Sequence, residues 1–194
     1  MIWLILSVVI WGLVHSVMAS LKVKATLDNL LGAEVRHFYR LFYNIFSTFS
    51  FIPILWLMRI LPDRTLYQIP SPWLTLLLLA QGLAAFGVLV GLYQTDLWEF
   101  VGLRQIISPR AKGESRLVLS GLYRHMRHPL YTFGLLFIWL SPVMTVNMLV
   151  VFIASTIYIV IGAYFEERKL LREFGEIYAE YQSNTPMLIP KIRF

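Results

Sequence analysis

The longest charge-free stretch of the sequence, residues 129 to 165, runs for 37 residues and is too long for a single transmembrane helix. At the helical rise it would extend roughly 55 Å, whereas a hydrocarbon core of roughly 30 Å takes about 20 residues. Its middle, SPVMTVN at 141–147, gathers Ser, Pro and Asn, which is a turn signal. The run therefore reads as a helical hairpin, about 129–141 and 145–165, with a short first arm. Three more charge-free runs precede it, at 1–21, 41–58 and 65–95. The first two each fit one span. The third opens on the breaker-rich YQIPSPW, so its helix is expected from about Pro72 to Thr95. It also carries Gly87 and Gly91 at GxxxG spacing, a signature of close helix packing.

Composition agrees with a bilayer as solvent. Of the 194 residues 58% are hydrophobic and 14% charged, more apolar surface than a soluble domain of this size could bury. The net charge of +6 does not point to nucleic acid, because the charges stand in short blocks between apolar runs. Cysteine is absent, which excludes disulfides, thiolate nucleophiles and Cys-based metal sites. The apolar start has no basic segment before it and no clean small-residue cleavage site, so it reads as a retained helix.

Counting basic residues tests the hairpin. With it, one face receives Lys22, Lys24, Arg36, Arg40, Arg104, Arg110, Lys112, Arg116, Arg124, Arg127, Arg168, Lys169, Arg172, Lys191 and Arg193. The other face keeps only Arg59 and Arg64. Fifteen against two is a strong positive-inside bias; without the hairpin it blurs to ten against seven. The expected fold is all-α: five transmembrane helices, N-terminus outside and C-terminus cytoplasmic, plus one amphipathic helix. The hairpin returns the chain, so RHMRH at 124–128 and EER at 166–168 share a membrane face. After it, Leu170, Leu171, Phe174, Ile177, Tyr178 and Tyr181 form one helical stripe over 166–182, a helix along the interface or a lid. Gly175 lowers its propensity modestly.

The chemistry-bearing residues gather on that face. Arg124 fits a charged collar snorkelling to headgroups. Histidine snorkels poorly, and Pro129 suits the first helical position while pushing His128 out of helical dihedrals. His128 is thus set beside a helix N-terminus with Tyr131 near, usable for binding a polar ligand or equally part of the collar. Glu166 and Glu167 end an apolar helix against its dipole or open the next helix as ordinary first-turn acids; at membrane depth carboxylates are costly. The segment 96–128 is long for a connection, and LVLSGLY at 117–123 carries a Gly that lets backbone approach a ligand. GxGxxG after a strand, a P-loop, HExxH and GxSxG are all missing, and the four histidines lack zinc-ligand spacing.

SGLYRHMRHPLY, a hairpin and then EERKLLREFGEIYAEYQSNTPMLIP resemble the integral-membrane methyltransferases, which include isoprenylcysteine carboxyl and phospholipid N-methyltransferases. The shared pattern is Gly-x-Tyr, Arg-His-Pro-x-Tyr, Glu-Glu, Phe-Gly-x-x-Tyr-x-x-Tyr and a closing Pro. VHSVMASLKVK, YRLFYNIFS and DLWEFVGLRQ are similar to methanethiol S-methyltransferases and NnrU-type membrane proteins.

The resemblance implies S-adenosylmethionine bound in a cytoplasmic pocket. His128, Pro129 and Tyr131 would contact it, as would the backbone of Leu117, Val118 and Leu119 and of Gly121 to Tyr123. Glu166 or Glu167 would bind its amino-acid or ribose portion, and Tyr178 and Tyr181 would cover it. Arg127, with Arg168 second, is expected nearest the chemistry, favouring a thiolate or orienting a carboxylate. No metal is implied. The whole chain then reads as one domain: helices in 1–95, a cofactor loop at 96–128, the hairpin at 129–165 and the amphipathic helix and tail at 166–194. The acceptor would be a small or hydrophobic thiol, with prenylcysteine carboxylate or phospholipid amine as alternatives, entering from the lipid of a prokaryotic inner membrane. A rival of another class is a non-enzymatic transport or assembly protein, which predicts no cofactor affinity.

Overall fold

The computed structural model describes residues 1–95, 97–103, 106 and 117–190. Arg104, Arg110, Lys112, Arg116, Lys191 and Arg193, six of the residues in the charge count, lie outside the described residues, as do parts of DLWEFVGLRQ and of the 96–128 loop. The chain divides into two compact units. Among the described residues four helices are long and apolar enough to cross a membrane: Ile2–Ala19, Phe38–Ile60, Trp73–Gln94 and Val146–Phe174. Large apolar side chains such as Trp3, Leu13, Trp56, Leu83 and Phe86 remain exposed on them, as lipid-facing residues do.

The first unit comprises Met1–Arg64, the described part of 96–114 and Val146–Ala154. It holds α1 (Ile2–Ala19), α2 (Leu21–Leu31), α3 (Ala33–Ile60), α5 (Leu97–Val101) and the first two turns of α7 (Val146–Phe174). Its core is Leu4 and Val8 of α1 against Ile54 of α3 and Val151 of α7. Asn147, fully buried, ties the end of α3 to the start of α7. Its backbone N–H donates to Asp63 Oδ1 at 3.0 Å, and its Nδ2 reaches the carbonyls of Met58, Leu61 and Pro62 at 3.3 to 3.5 Å. The carbonyls at a helix C-terminus lack intrahelical donors, and Asn147 supplies one.

The second unit takes in Thr65–Thr95 and the described residues within 115–145 and 155–194. Here the fourth apolar run is two helices, α6 (Pro129–Trp139) and α7. Between them β2 (Val143–Thr145) pairs antiparallel with β1 (Thr65–Gln68), an arrangement absent from the sequence expectation. The third run becomes α4 (Trp73–Gln94), close to its expected start. α4 packs on α6 through the GxxxG pair: a Cβ at Gly87 would overlap the Phe133 ring, and one at Gly91 would lie 2.9 Å from Leu130. The spacing serves close helix approach.

The end of the chain differs from the expected single helix over 166–182. α7 continues unbroken through Glu166 and Glu167 to Phe174, and the break falls at Gly175, whose φ of 55° few other residues adopt. α8 (Glu176–Asn184) then starts in a new phase. The expected stripe therefore splits, and Ile177 is 63% exposed while Tyr178 is buried.

Candidate functional site

α7 and α6 run back alongside each other, and in the second unit they bring their charged ends together. His128 is the N-cap of α6 and Pro129 its buried first residue, so the ring leaves the helix at its start. His128 Nε2–H donates to Glu167 Oε1 at 3.2 Å, and its Nδ1 lies 3.8 Å from Glu166 Oε2. Its ring stacks on Tyr131, one turn on, with centroids 5.2 Å apart and planes 12° from parallel. Tyr131 in turn donates its hydroxyl to Glu166 Oε2 at 2.8 Å.

The adjacent carboxylates have opposite surroundings. Glu167 is 7% exposed and receives Arg127 Nε–H at 2.6 Å, His128, and Gln182 Nε2–H at 2.8 Å. Glu166 is 44% exposed and accepts from Tyr131. Successive helical residues are about 100° apart on the helix surface; one faces the protein and the other its edge.

Arg127 is equally committed. Besides Glu167 it donates Nη1–H to the carbonyls of Gln182, at 2.9 Å, and of Thr185. A cation there meets the unsatisfied carbonyls that end α8. The segment after α8 then runs as a strap along the start of α6. Arg127 N–H donates to Pro186 O at 2.9 Å, His128 N–H to Met187 O at 3.1 Å, and the Thr132 hydroxyl to Leu188 O at 2.8 Å.

Three tyrosines close the cluster. Tyr178 is 1% exposed, meets Tyr181 edge-on at 5.8 Å, and its hydroxyl has no hydrogen-bond partner among the described residues. Burial pushes its phenol up, and the nearby Glu167 charge adds to this against Arg127. Tyr181 donates to the carbonyl of Tyr123, and burial pushes its phenol up to about 12, Arg127 opposing and Glu167 adding. The Tyr123 phenol is raised by burial and then by Glu166, a hydrogen bond with Thr95 opposing. All three are protonated donors at neutral pH.

The remaining expected residues are placed as follows. Leu117 and Val118 are half-buried and Leu119 exposed, in an irregular stretch before the 3-10 turn Gly121–Arg124. Gly121, with φ of 64°, lies against the Gln94 side chain, whose Oε1 accepts Leu122 N–H at 3.0 Å, so its close approach is to protein. Arg124 and His125 are exposed, as a collar would be. Arg168 is exposed and lies over the Tyr164 ring at 5.8 Å, away from the buried pair. Sequence reasoning missed Gln94, Thr95, Thr132, Gln182 and Thr185. Of these only Gln182 left a signal, four residues after Tyr178 on the same helical face.

The cluster suits a cationic, hydroxyl-bearing ligand. An exposed carboxylate stands beside two stacked rings, which favour positive charge, and a buried phenol lacks a partner among the described residues, where native structures seldom leave one.

Comparison with characterised proteins places the chain. It is 32% identical, over an alignment of 197 positions that takes in 97% of its length, to the methanethiol S-methyltransferase of Pseudomonas deceptionensis, of which it covers 72%. It is 31% identical over 189 residues to the methanethiol S-methyltransferase of Crocosphaera subtropica, covering 94% of this chain and 72% of that protein. Against methanethiol S-methyltransferase 1 of Bradyrhizobium diazoefficiens it is 29% identical over 190 residues, covering 96% of this chain and 65% of that protein. The chain thus spans 65 to 72% of the length of these relatives. No protein-family model matches it, and no solved structure does.

Proposed function

The chain belongs to the methanethiol S-methyltransferase family, a premise from which we propose that it methylates methanethiol or a closely similar small thiol with S-adenosylmethionine. It is a membrane protein and a methyltransferase. The observation that carries the cofactor site is the unequal carboxylate pair: Glu167 is used up inside the protein, and Glu166 is left at the edge beside His128 and Tyr131.

When bound, S-adenosylmethionine supplies an electrophilic methyl carbon on a sulfonium. Glu166 and the faces of His128 and Tyr131 would hold its positive charge. Tyr178 would donate its hydroxyl to it, Tyr181 would cover it, and the backbone of 117–119 and 121–123 would help line the site. In-line displacement asks the protein mainly to fix geometry and exclude water. Arg127 serves this by holding Glu167 and the end of α8, a different place from one against the nucleophile. Arg168 stands at the exposed edge, where an acceptor's negative charge would meet it.

The same reading sets the membrane arrangement. α7 has 29 residues, so a span of about 20 begun at Val146 ends near Phe165 and leaves Glu166 and Glu167 at the boundary. With the positive-inside bias this puts the site and C-terminus in the cytoplasm, the N-terminus outside and α6 as a short fifth crossing in an inner membrane. The whole chain acts as one methyltransferase domain, surrounded by lipids through which an apolar thiol enters. Calorimetric titration of S-adenosylmethionine into detergent-purified protein tests this, with His128→Ala and Glu166→Gln as controls. Absence of binding at millimolar cofactor would overturn it. Product analysis with methanethiol, a prenylcysteine and phosphatidylethanolamine identifies the acceptor, and methylation only of the last two would overturn the thiol assignment.

A further inference from the structure

We propose that Gln182 is a positioning residue for the transfer: its side-chain amide sets the plane of the Glu167 carboxylate, and Glu167 thereby holds the His128 ring against Tyr131. The inference rests on the reading that the His128–Tyr131–Glu166 wall receives the cofactor.

Three donors from two places in the chain converge on Glu167. Arg127 Nε and His128 Nε2 share Oε1, at 2.6 and 3.2 Å, and Gln182 Nε2 holds Oε2 at 2.8 Å. The terminal torsion of a glutamate is broad and roughly two-fold, so donors on one oxygen alone leave the carboxylate free to turn about that contact. A donor on the second oxygen fixes the plane. The main chain of Gln182 is itself held, because its backbone carbonyl accepts Arg127 Nη1–H at 2.9 Å. Arg127, Glu167 and Gln182 therefore close a ring of hydrogen bonds, with both oxygens of Glu167 held and the main chain that carries Gln182 anchored on Arg127.

The backbone of His128 is set independently. Its N–H donates to Met187 O in the strap, and its carbonyl accepts from Thr132 N–H at 3.0 Å. What the strap does not fix is the rotation of the imidazole, and the partner that fixes it from the buried side is Glu167. Gln182 thus acts on the wall at one remove, through a carboxylate that a ligand need not touch.

The test uses the full chain in detergent, with S-adenosylmethionine and methanethiol. Gln182→Met keeps the length of the side chain and removes the donor. It is expected to unfold near the wild-type temperature yet lose about tenfold in kcat/KM. In a Glu167→Gln background the same change should add little, since its effect passes through Glu167. The reciprocal exchange, Glu167→Gln with Gln182→Glu, keeps one carboxylate and one amide in contact and should recover part of the activity lost in Glu167→Gln alone. Wild-type kcat/KM in Gln182→Met, or full additivity with Glu167→Gln, overturns the proposal. So does a lowered unfolding temperature with unchanged kinetics. If Gln182→Met fails to fold, the exchange decides: recovery supports the proposal and its absence overturns it. A wild type that neither binds cofactor nor methylates a thiol would instead overturn the functional reading, and this inference with it.

Discussion

His15 and His128 each stack on an aromatic ring, and the two clusters show what sets a membrane histidine to different uses. His15 lies inside α1, four residues before its last, stacked on Trp11 with centroids 4.7 Å apart, and its Nε2 meets the Tyr43 hydroxyl of α3. Trp11 donates Nε1–H to the Ser50 hydroxyl of α3 at 3.0 Å. These partners are side chains of two neighbouring spans, and the run 1–21 contains no acid. Within hydrocarbon a polar group is satisfied by nearby protein, so such a cluster joins helices. His128 caps a helix instead of standing inside one, and two carboxylates reach it from the end of a helix longer than a bilayer needs. Position along the helix, more than residue type, separates the joint from the site.

The strongest way to break this comparison is to remove the carboxylate that makes the second cluster different. Glu167→Leu leaves Arg127 buried without its anion, which costs about 3–5 kcal/mol. It is expected to abolish methyl transfer and to lower the unfolding temperature steeply in detergent. A variant that unfolds like wild type would remove the claim that the site is held together by charge. Next in size is Glu166→Gln, a change at the exposed member of the pair. It should leave stability unchanged and weaken cofactor binding by about ten- to a hundredfold, the value of one charge-assisted hydrogen bond. An unchanged calorimetric Kd would take Glu166 out of the site.

A third change tests the scaffold beneath the site. Gly87→Leu drives a side chain into the space of the Phe133 ring, and overpacking of this kind costs about 1–3 kcal/mol. Thermal unfolding should report the loss, and Gly82→Leu on the same helix, where a Cβ would meet nothing within 4 Å, should not show it.

Tyr181 gives a smaller, pH-dependent effect. Burial first, then Glu167, raises its folded phenol to about 12 from the usual value near 10. A raised folded value means its contribution is fully present below pH 10 and is lost as pH rises through 12. The hydrogen bond it gives Tyr123 is worth about 1 kcal/mol. Wild type should therefore exceed Tyr181→Phe in stability by that much at pH 8 and converge with it at the alkaline end of an unfolding series. A constant gap across the series would show that the phenol's proton is not what stabilises the fold.

The features legible in the sequence are those that repeat a local rule. Charge-free length gave the spans, SPVMTVN marked the break in the fourth run, and Pro129 announced the start of α6. Because the hairpin follows from these, so does the meeting of His128 with the two glutamates. Illegible were contacts that depend on helix phase. Gly175 breaks the last helix and turns Ile177 outward, which no count of apolar positions registers. The unlike fates of Glu166 and Glu167 follow from α7 continuing past Phe165, and Arg127 is drawn inward by carbonyls that carry no sequence mark. The β1–β2 ribbon joins residues nearly eighty positions apart, one further step from local pattern.

The smallest expected effect closes the comparison from the other side. Ser50→Ala removes the acceptor of Trp11 Nε1–H in the first unit. Double-mutant measurements put such hydrogen bonds between transmembrane helices at about 0.6 kcal/mol, since polar groups in the membrane readily find other partners. Unfolding should shift slightly, while S-adenosylmethionine affinity and kcat/KM for methanethiol stay at wild-type values, because the Trp11–His15–Tyr43 cluster acts by joining α1 to α3. If Ser50→Ala instead lowered kcat/KM with stability preserved, the division drawn between the two histidines would fail. The N-terminal cluster would then belong to the reaction, and a membrane-embedded histidine with aromatic and hydroxyl partners could no longer be read as glue on those partners alone.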